Sequence, residues 1–104
     1  MTRLGDARVG LALVRAYGAS LGRRALEVLT KMADHEDDDY DGVLVWEGQE
    51  VWVGNERTSS SVALALLRAC AVSDVSDPGS RLMRYAINET GRKLVARARR
   101  ERAR

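Results

Sequence analysis

The chain of 104 residues contains no phenylalanine, one cysteine, one proline and one histidine. Without phenylalanine, and with few other aromatic residues, the core must be built mainly from Leu, Val and Ala. A single cysteine, Cys70, excludes an internal disulfide and is typical of a protein in a reducing cytoplasm. No apolar run approaches the roughly 20 residues that span a bilayer, and arginines interrupt the N-terminal apolar stretch. Neither a membrane protein nor a secretory leader is therefore expected.

Residues that carry catalysis are also scarce. His35 has no second histidine and no spaced pair of cysteines as companions, so it lacks the partners that a metal site or catalytic centre needs. Cys70 is expected to be a small buried hydrophobe at the end of a helix. The chain has no glycine-rich phosphate loop, nucleophile elbow or paired-carboxylate motif. We therefore expect a protein that is not an enzyme and that uses no cofactor and no metal.

What the sequence has in abundance is segregated charge. The formal net charge is only +2, but residues 34–56 hold nine acidic side chains and no Lys or Arg, whereas residues 81–104 hold nine basic and two acidic side chains. Such separation of acidic and basic segments steers a polyanion to one face of a protein and repels it from another. It can also drive self-association between oppositely charged surfaces of two copies.

The acidic run DHEDDDYDG, residues 34–42, is predicted to be a solvated loop. Asp37, Asp39 and Asp41 fall at the first three ligand positions of a calcium-binding EF-hand loop, but the twelfth position is Gly48 instead of the required glutamate. A calcium site is therefore not predicted. The loop could act instead as a DNA mimic or as a docking patch for a basic partner.

Hydrophobic periodicity and turn residues predict the order helix, helix, hairpin, helix, hairpin, helix. One domain over residues 1–104 is expected, because no internal repeat and no Pro/Gly/Ser-rich linker divides the chain. It would begin with a helical arm, residues 1–19, and end with a basic tail, residues 96–104. The predicted N-caps are Ser20, then Thr58 or Ser59, then Asn88. The predicted hairpin turns are Glu47-Gly48-Gln49 and Asp77-Pro78-Gly79-Ser80.

The stretch YAINETGRKLV, residues 85–95, places a strand-like run directly before a capped, basic helix. Together with the helix that begins TSSSVALALLRA, it resembles the second half of winged helix-turn-helix DNA-binding regulators of the MarR and PadR kind, over residues 58–95. The matching positions are Tyr85, Ile87, Asn88, Gly91 and Arg92. The resemblance implies an α+β winged-helix fold and a homodimer, in which the strand is the return leg of a wing and the serine-led helix approaches the major groove.

Resemblance and charge together predict a small cytoplasmic DNA-binding protein, a transcriptional regulator of bacterial or phage type. Basic side chains of the wing and the C-terminal helix would neutralise phosphates of double-stranded DNA, and the serines would donate to phosphate at a helix N-terminus. The predicted DNA-binding residues are Arg57, Ser59, Ser60, Ser61, Arg68, Arg81, Arg84, Arg92 and Lys93. Because residues 59–70 carry one basic side chain, strong sequence specificity is not predicted.

The alternative interpretation is a protein-interaction module or inhibitor on the same scaffold. In that case the acidic loop and the first hairpin would contact a partner, and the serine-led helix would read no DNA. The predicted partner-binding residues are Asp37, Asp38, Asp39, Asp41, Trp46 and Trp52. At least one of the two tryptophans is expected to pack on the core, and both would be partner anchors if both were exposed.

Overall fold

The structure, a computed structural model, describes residues 18–102, with side chains from residue 22 onward. The predicted helical arm, residues 1–19, lies outside these residues except for its last two positions. The elements in chain order are α1 (Gly18–Asp34), β1 (Val43–Glu47), β2 (Glu50–Val53), β3 (Glu56–Thr58), α2 (Ser60–Arg68), β4 (Val72–Asp74), β5 (Met83–Ile87) and α3 (Glu89–Arg102). The α+β class is therefore confirmed.

All five strands form one antiparallel sheet in the order β3-β2-β1-β5-β4. The two predicted hairpins share this sheet because β1 pairs with β5, with Leu44 opposite Tyr85. The first hairpin has the predicted turn, in which Glu47 pairs with Glu50 and Gly48 adopts a φ of +61°. Residues 43–53 therefore form the predicted hairpin, at the place in the chain where a winged helix-turn-helix domain would have a short helix before its recognition helix.

Strand β3 is an element that the sequence does not predict. The residues before α2 are rich in turn and capping types, and Glu56 and Arg57 are exposed, so no hydrophobic alternation marks a strand. The strand forms because β2 offers an unpaired edge, with Val51 opposite Thr58. Gly54, with a φ of +62°, turns the chain between the two strands.

The three helices of residues 18–102 cover one face of the sheet, the inner face. Residues directly opposite each other on neighbouring strands share a face, so the pairing fixes which side chains point inward. The inner-face residues in the buried core are Leu44, Val51, Val53, Val72, Tyr85 and Ile87. They pack with Ala25, Leu29 and Met32 of α1, Val62, Ala63, Ala65 and Leu66 of α2, and Val95 of α3. Each fully buried Leu or Val contributes about 1.5–3 kcal/mol, so this aliphatic cluster dominates the stability.

The opposite face, here named the open face, has a different composition. Its side chains are Val43, Val45, Glu47, Glu50, Trp52, Arg57, Ser73, Arg84 and Ala86. Val43 is itself buried, but none of these residues belongs to the core cluster in which the buried side chains of the helices lie.

Two of the predicted helix caps are confirmed and one is wrong. Ser59 Oγ accepts the N–H of Val62 at 3.2 Å, and Asn88 Oδ1 accepts the N–H of Gly91 at 2.9 Å. Ser20 lies within α1 and is not its N-cap. The error has a simple cause, because serine costs little more than most residues inside a helix, so a serine does not force a helix to begin.

Helix α2 ends in a left-handed turn at Cys70, whose φ is +57°. The N–H of Cys70 donates to Leu67 O at 3.0 Å and the N–H of Ala71 donates to Leu66 O at 3.1 Å, the hydrogen-bond pair of a Schellman motif. Glycine is the usual residue at this position. The thiol is exposed, so the expectation that Cys70 is a buried hydrophobe is wrong, because the left-handed residue turns away from the core.

Replacing Cys70 with glycine is expected to stabilise the protein by about 0.5–1 kcal/mol. Relief of the left-handed conformation is worth about 1–2 kcal/mol, and the greater flexibility of glycine in the unfolded chain offsets part of it. Thermal unfolding monitored by circular dichroism should show a higher midpoint. Cys70→Ala, which removes the thiol and keeps the strain, is the control. A midpoint for Cys70→Gly at or below that of Cys70→Ala would contradict the assignment.

The stretch YAINETGRKLV forms the end of β5 and the beginning of α3. Tyr85 and Ile87 are buried in the core, and Asn88 links the start of α3 to the end of α2. Its backbone N–H donates to Ala71 O at 3.1 Å, and its Nδ2 donates to Cys70 O at 2.9 Å and to Ser73 Oγ at 3.0 Å. The residues that carry the family resemblance therefore have a structural role in this chain.

Candidate nucleic-acid interface

The strand register brings three chain segments to one end of the sheet, here named the turn end. Trp46 pairs with Met83, and Val51 pairs with Thr58. The β1–β2 turn, the β4–β5 loop of residues 75–82 and the first turn of α2 therefore lie at the same end. A helix N-terminus and a hairpin loop that share one end are an arrangement that can contact a phosphate backbone.

At the turn end, the first turn of α2 and the β4–β5 loop offer hydrogen-bond donors and one cation. Ser60 and Ser61 are exposed, whereas the hydroxyl of Ser59 is used as the helix cap. Arg81 is exposed in the loop and forms no ion pair with any residue of the described range 18–102. These are the predicted DNA-binding residues that the structure brings to one end.

The β4–β5 loop is held in shape by its own polar residues. The predicted turn is confirmed, with Ser80 N–H donating to Asp77 O at 3.1 Å. Ser76 Oγ accepts the N–H of Arg84 at 2.8 Å, and Asp74 Oδ1 accepts the N–H of Ser76 at 2.8 Å. Hydrogen bonds from the hydroxyl and the backbone N–H of Ser76 lower the pKa of Asp74. A loop that is ordered before binding loses less conformational entropy on contact with a ligand.

Two predicted DNA-binding residues lie instead on the open face. Arg57 and Arg84 stand at the two ends of one cross-strand row, with Trp52 and Val45 between them. Arg57 lies 3.7 Å from Glu50, and Arg84 Nη2 donates to the backbone oxygen of Asp39 at 3.3 Å. Both guanidinium groups therefore have partners within the chain.

The remaining predicted cations lie near the opposite end of the sheet, here named the cap end. This end holds the acidic loop and the start of α3, because Val43 pairs with Ala86. Arg92 Nη1 lies 2.6 Å from Glu36 Oε2, and Lys93 Nζ lies 3.6 Å from Glu89 Oε2. The predicted DNA-binding set is therefore divided among three surfaces.

The outward side of α2 offers little for reading bases. Its exposed side chains are Ser60, Ser61, Leu64 and Arg68. Arg68 is the one side chain of this stripe that can make the bidentate contact to guanine that specific recognition uses most often. Low sequence specificity therefore stays a prediction, to which the side chains of this stripe add one candidate for base contact.

The acidic loop is exposed, as predicted, but it has a defined conformation. Asp38 Oδ1 accepts the N–H groups of Tyr40 at 2.7 Å and of Asp41 at 3.1 Å, and these bonds lower the pKa of Asp38. Gly42 is buried, and a side chain there would collide with the backbone oxygen of His35. Among residues 18–102, no group of three or more His, Cys, Asp or Glu side chains is arranged to hold a metal ion.

The structure separates the two tryptophans. Trp46 points to the inner face and packs against the core, and its Nε1 donates to Gly48 O at 3.0 Å. The expectation that at least one tryptophan packs on the core is confirmed. Trp52 points to the open face, where it is half-buried. Of the residues predicted to bind a partner, Trp46 therefore has a structural role and Trp52 remains accessible.

Lys31 and Glu56 form an ion pair that joins α1 to β3. Lys31 Nζ lies 2.6 Å from Glu56 Oε1 and donates to Val53 O at 3.1 Å, and its hydrogen bond to the carboxylate lowers the pKa of Glu56 below the ordinary value of 4.5. A carboxyl group with a lowered folded-state pKa stabilises the fold above its unfolded-state pKa, and this stabilisation is lost as the pH falls through the folded-state pKa.

We therefore expect the unfolding midpoint of the wild-type chain to fall more steeply than that of Glu56→Gln between about pH 5 and about pH 3. The two midpoints should differ at neutral pH and converge in acid. Thermal unfolding across this range provides the measurement, with Glu27→Gln, on the exposed side of α1, as the control that should follow the wild-type curve. Parallel curves for Glu56→Gln and the wild-type chain would contradict the expectation.

Comparison of the chain with protein-family models, with curated proteins and with solved structures finds no match. Among the helices of residues 18–102, none is long and apolar enough to cross a bilayer. The geometry and charges of the chain itself are therefore the basis for a functional assignment.

Proposed function

We propose that the chain binds the phosphate backbone of double-stranded DNA through the turn end of its sheet. The observation that supports the proposal is the shared location of the α2 N-terminus and the β4–β5 loop at that end. In this proposal the fold is a variant of the winged helix, the β4–β5 loop is the wing and α2 is the helix that approaches the groove. A role as a small transcriptional regulator, acting as a homodimer, belongs to the same proposal.

The contact would be made by a small set of donors. The hydroxyls of Ser60 and Ser61, with the free N–H groups of the first turn of α2, suit a phosphate oxygen. Arg81 would hold a second phosphate from the wing. Arg57, near the end of β3, borders this surface, whereas Arg68, in the last turn of α2, lies toward the cap end and is left out of the set. With about two cations engaged, Arg57 and Arg81, log Kd should change with log salt with a slope of about 2.

The other predicted cations fit this role less well. Arg84 and Arg92 are engaged with Asp39 and Glu36, and Arg92 lies near the acidic loop that would repel DNA. We therefore restrict the proposed DNA-binding set to the turn end and its borders. Lys93, also near the cap end, is left out for the same reason.

The test compares two double substitutions that remove the same charge. Arg57→Gln/Arg81→Gln should weaken binding to a mixed-sequence duplex by about tenfold at low salt, because it removes two of the proposed phosphate contacts. Arg92→Gln/Lys93→Gln should weaken it by about twofold, through the loss of net charge alone. Fluorescence anisotropy with a labelled duplex measures both, after circular dichroism has established that both variants fold. Equal losses would mean that no defined surface binds DNA.

A further inference from the structure

Helix α3 is strongly basic, and only its first half is packed into the core. Its 14 residues carry six basic and two acidic side chains. Its buried residues are Gly91 and Val95, and Leu94 packs partly against the core. From the residue after Val95 to the end of the helix at Arg102, none is buried. The arginine-rich second half therefore lies at the surface, where a ligand can reach it.

One row of cations on α3 points away from the core. Lys93, Arg97 and Arg100 follow one another at spacings of four and three residues, so they share one side of the helix. Lys93 lies 3.6 Å from Glu89 and Arg97 lies 3.5 Å from Glu101, both within the exposed surface of α3 itself. Arg100 forms no ion pair with any residue from 18 to 102. We name these three cations the outward row.

A second row of cations faces the end of α1. Arg92 Nη1 lies 2.6 Å from Glu36 Oε2, and Arg99 pairs with Asp34. The two arginines are seven residues apart, or about 10 Å along the helix axis. About half of each arginine side chain is still exposed, 47% for Arg92 and 53% for Arg99. A ligand can therefore approach both guanidinium groups without any movement of the backbone.

Carboxylate and phosphate are alternative partners for the same guanidinium group. Arginine presents a planar set of donors that fits two oxygens of either group. Exposed ion pairs are individually weak, whereas a nucleic acid offers a dense row of phosphates and releases counterions when it binds. Asp34 and Glu36 therefore occupy positions on α3 that phosphates can take. They compete well because they belong to the same chain, which gives them a high effective concentration.

We propose that α3 is a second surface for the phosphate backbone of a nucleic acid, and that Asp34 and Glu36 inhibit it by intramolecular competition. Charge selects a polyanion as the ligand, because six basic and two acidic side chains give α3 a net charge of +4. In the wild-type chain a phosphate backbone must displace both carboxylates before Arg92, Arg99 and the outward row can bind it, so binding at α3 is weak. The surface is separate from the turn end, so this inference does not depend on DNA binding there.

The test uses the full-length chain with Arg57→Gln/Arg81→Gln as its background, because this background removes the proposed cations of the turn end. If the turn end binds no DNA, the background behaves as the wild-type chain does and the comparison is unaffected. Adding Asp34→Asn/Glu36→Gln frees both arginines. We expect this variant to bind a labelled mixed-sequence duplex at least about tenfold more tightly than the background at low salt. The slope of log Kd against log salt should increase by at least about 2, for two additional phosphate contacts.

Two control variants locate the effect. Asp37→Asn/Asp39→Asn removes the same charge from the same acidic loop, but neither side chain forms an ion pair within residues 18–102. We expect it to stay within about threefold of the background and to leave the salt slope unchanged, because it acts only through the overall field. Adding Arg92→Gln/Arg99→Gln to the released variant should abolish the gain. Circular dichroism establishes that each variant folds.

Several outcomes would overturn the proposal. Equal gains from the two carboxylate pairs would reduce the effect to general repulsion by the acidic loop. No gain from Asp34→Asn/Glu36→Gln would mean that its ion pairs only anchor α3. A gain that survives Arg92→Gln/Arg99→Gln would place the binding elsewhere. If the released double variant does not fold, Glu36→Gln alone frees Arg92 and should increase the salt slope by at least about 1, and an unchanged slope would contradict the proposal.

Discussion

Replacing Gly91 with alanine is expected to destabilise the protein by about 3 kcal/mol. A Cβ at this position would collide with the backbone oxygen of Ala71 and would lie 2.6 Å from Cγ1 of Ile87, closer than real Cβ atoms approach other heavy atoms. Backbone oxygen cannot move aside as a flexible side chain can, so α3 would have to shift away from the α2–β4 junction. In an unconstrained helix the same substitution would be stabilising by about 1 kcal/mol.

Urea unfolding followed by circular dichroism measures the effect. Gly79→Ala is the matched control, because Gly79 has a φ of +80° but nothing lies within 4 Å of an added Cβ. That substitution should cost about 1–2 kcal/mol, from the left-handed conformation alone. If Gly91→Ala were no more destabilising than Gly79→Ala, the result would contradict the close packing of α3 against the Ala71 backbone.

Asn88→Ala is expected to lower the free energy of unfolding by about 2 kcal/mol. The substitution removes the cap on the N–H of Gly91 at 2.9 Å, and it removes the bonds from Nδ2 to Cys70 O at 2.9 Å and Ser73 Oγ at 3.0 Å. Loss of an N-cap costs about 0.5–2 kcal/mol, and the two further hydrogen bonds raise the expected value toward the upper end of that range. Chemical unfolding provides the free energy.

Asn88→Asp separates the two roles of this side chain. Aspartate keeps an oxygen that can accept the N–H of Gly91 and places a negative charge at a helix N-terminus, but it cannot donate to Cys70 O or Ser73 Oγ. We expect Asn88→Asp to lower the free energy of unfolding by about half as much as Asn88→Ala does. If Asn88→Asp were as unstable as Asn88→Ala, capping of α3 would contribute nothing.

Local patterns were sufficient to predict several elements. Alternation around Gly48 predicts the first hairpin, the Asp77–Ser80 turn predicts the second, and Asn88 predicts the start of α3. Each of these features depends on residues close together in the chain, where turn and capping chemistry act directly. The α+β class follows from their order.

Features that depend on distant residues were not predictable in the same way. Strand β3 forms because β2 leaves one edge of the sheet unpaired. The exposed residues of β3 show no pattern from which a strand could be predicted. The division of the predicted cations also arises from distant pairs, since Glu36 and Arg92 are 56 positions apart in the chain. Exposure of Cys70 follows from a backbone conformation that composition does not reveal.

The segregated charges have an intramolecular use that the sequence pattern alone does not indicate. Arg92 pairs with Glu36 and Arg99 pairs with Asp34, so the basic helix α3 is bound to the acidic end of α1. These exposed pairs add modest stability and orient α3. They also reduce the positive charge that α3 offers to a ligand, which is why the proposed DNA contact lies at the turn end.

The most direct test of the central claim is fluorescence anisotropy of the full-length chain on a mixed-sequence duplex, titrated at increasing salt. The proposal predicts binding at low salt that weakens as salt rises, with log Kd changing with log salt with a slope of about 2, the value for about two phosphate contacts. No binding at low salt would contradict the claim. Binding that is insensitive to salt would contradict it equally, because contacts to phosphate always release counterions.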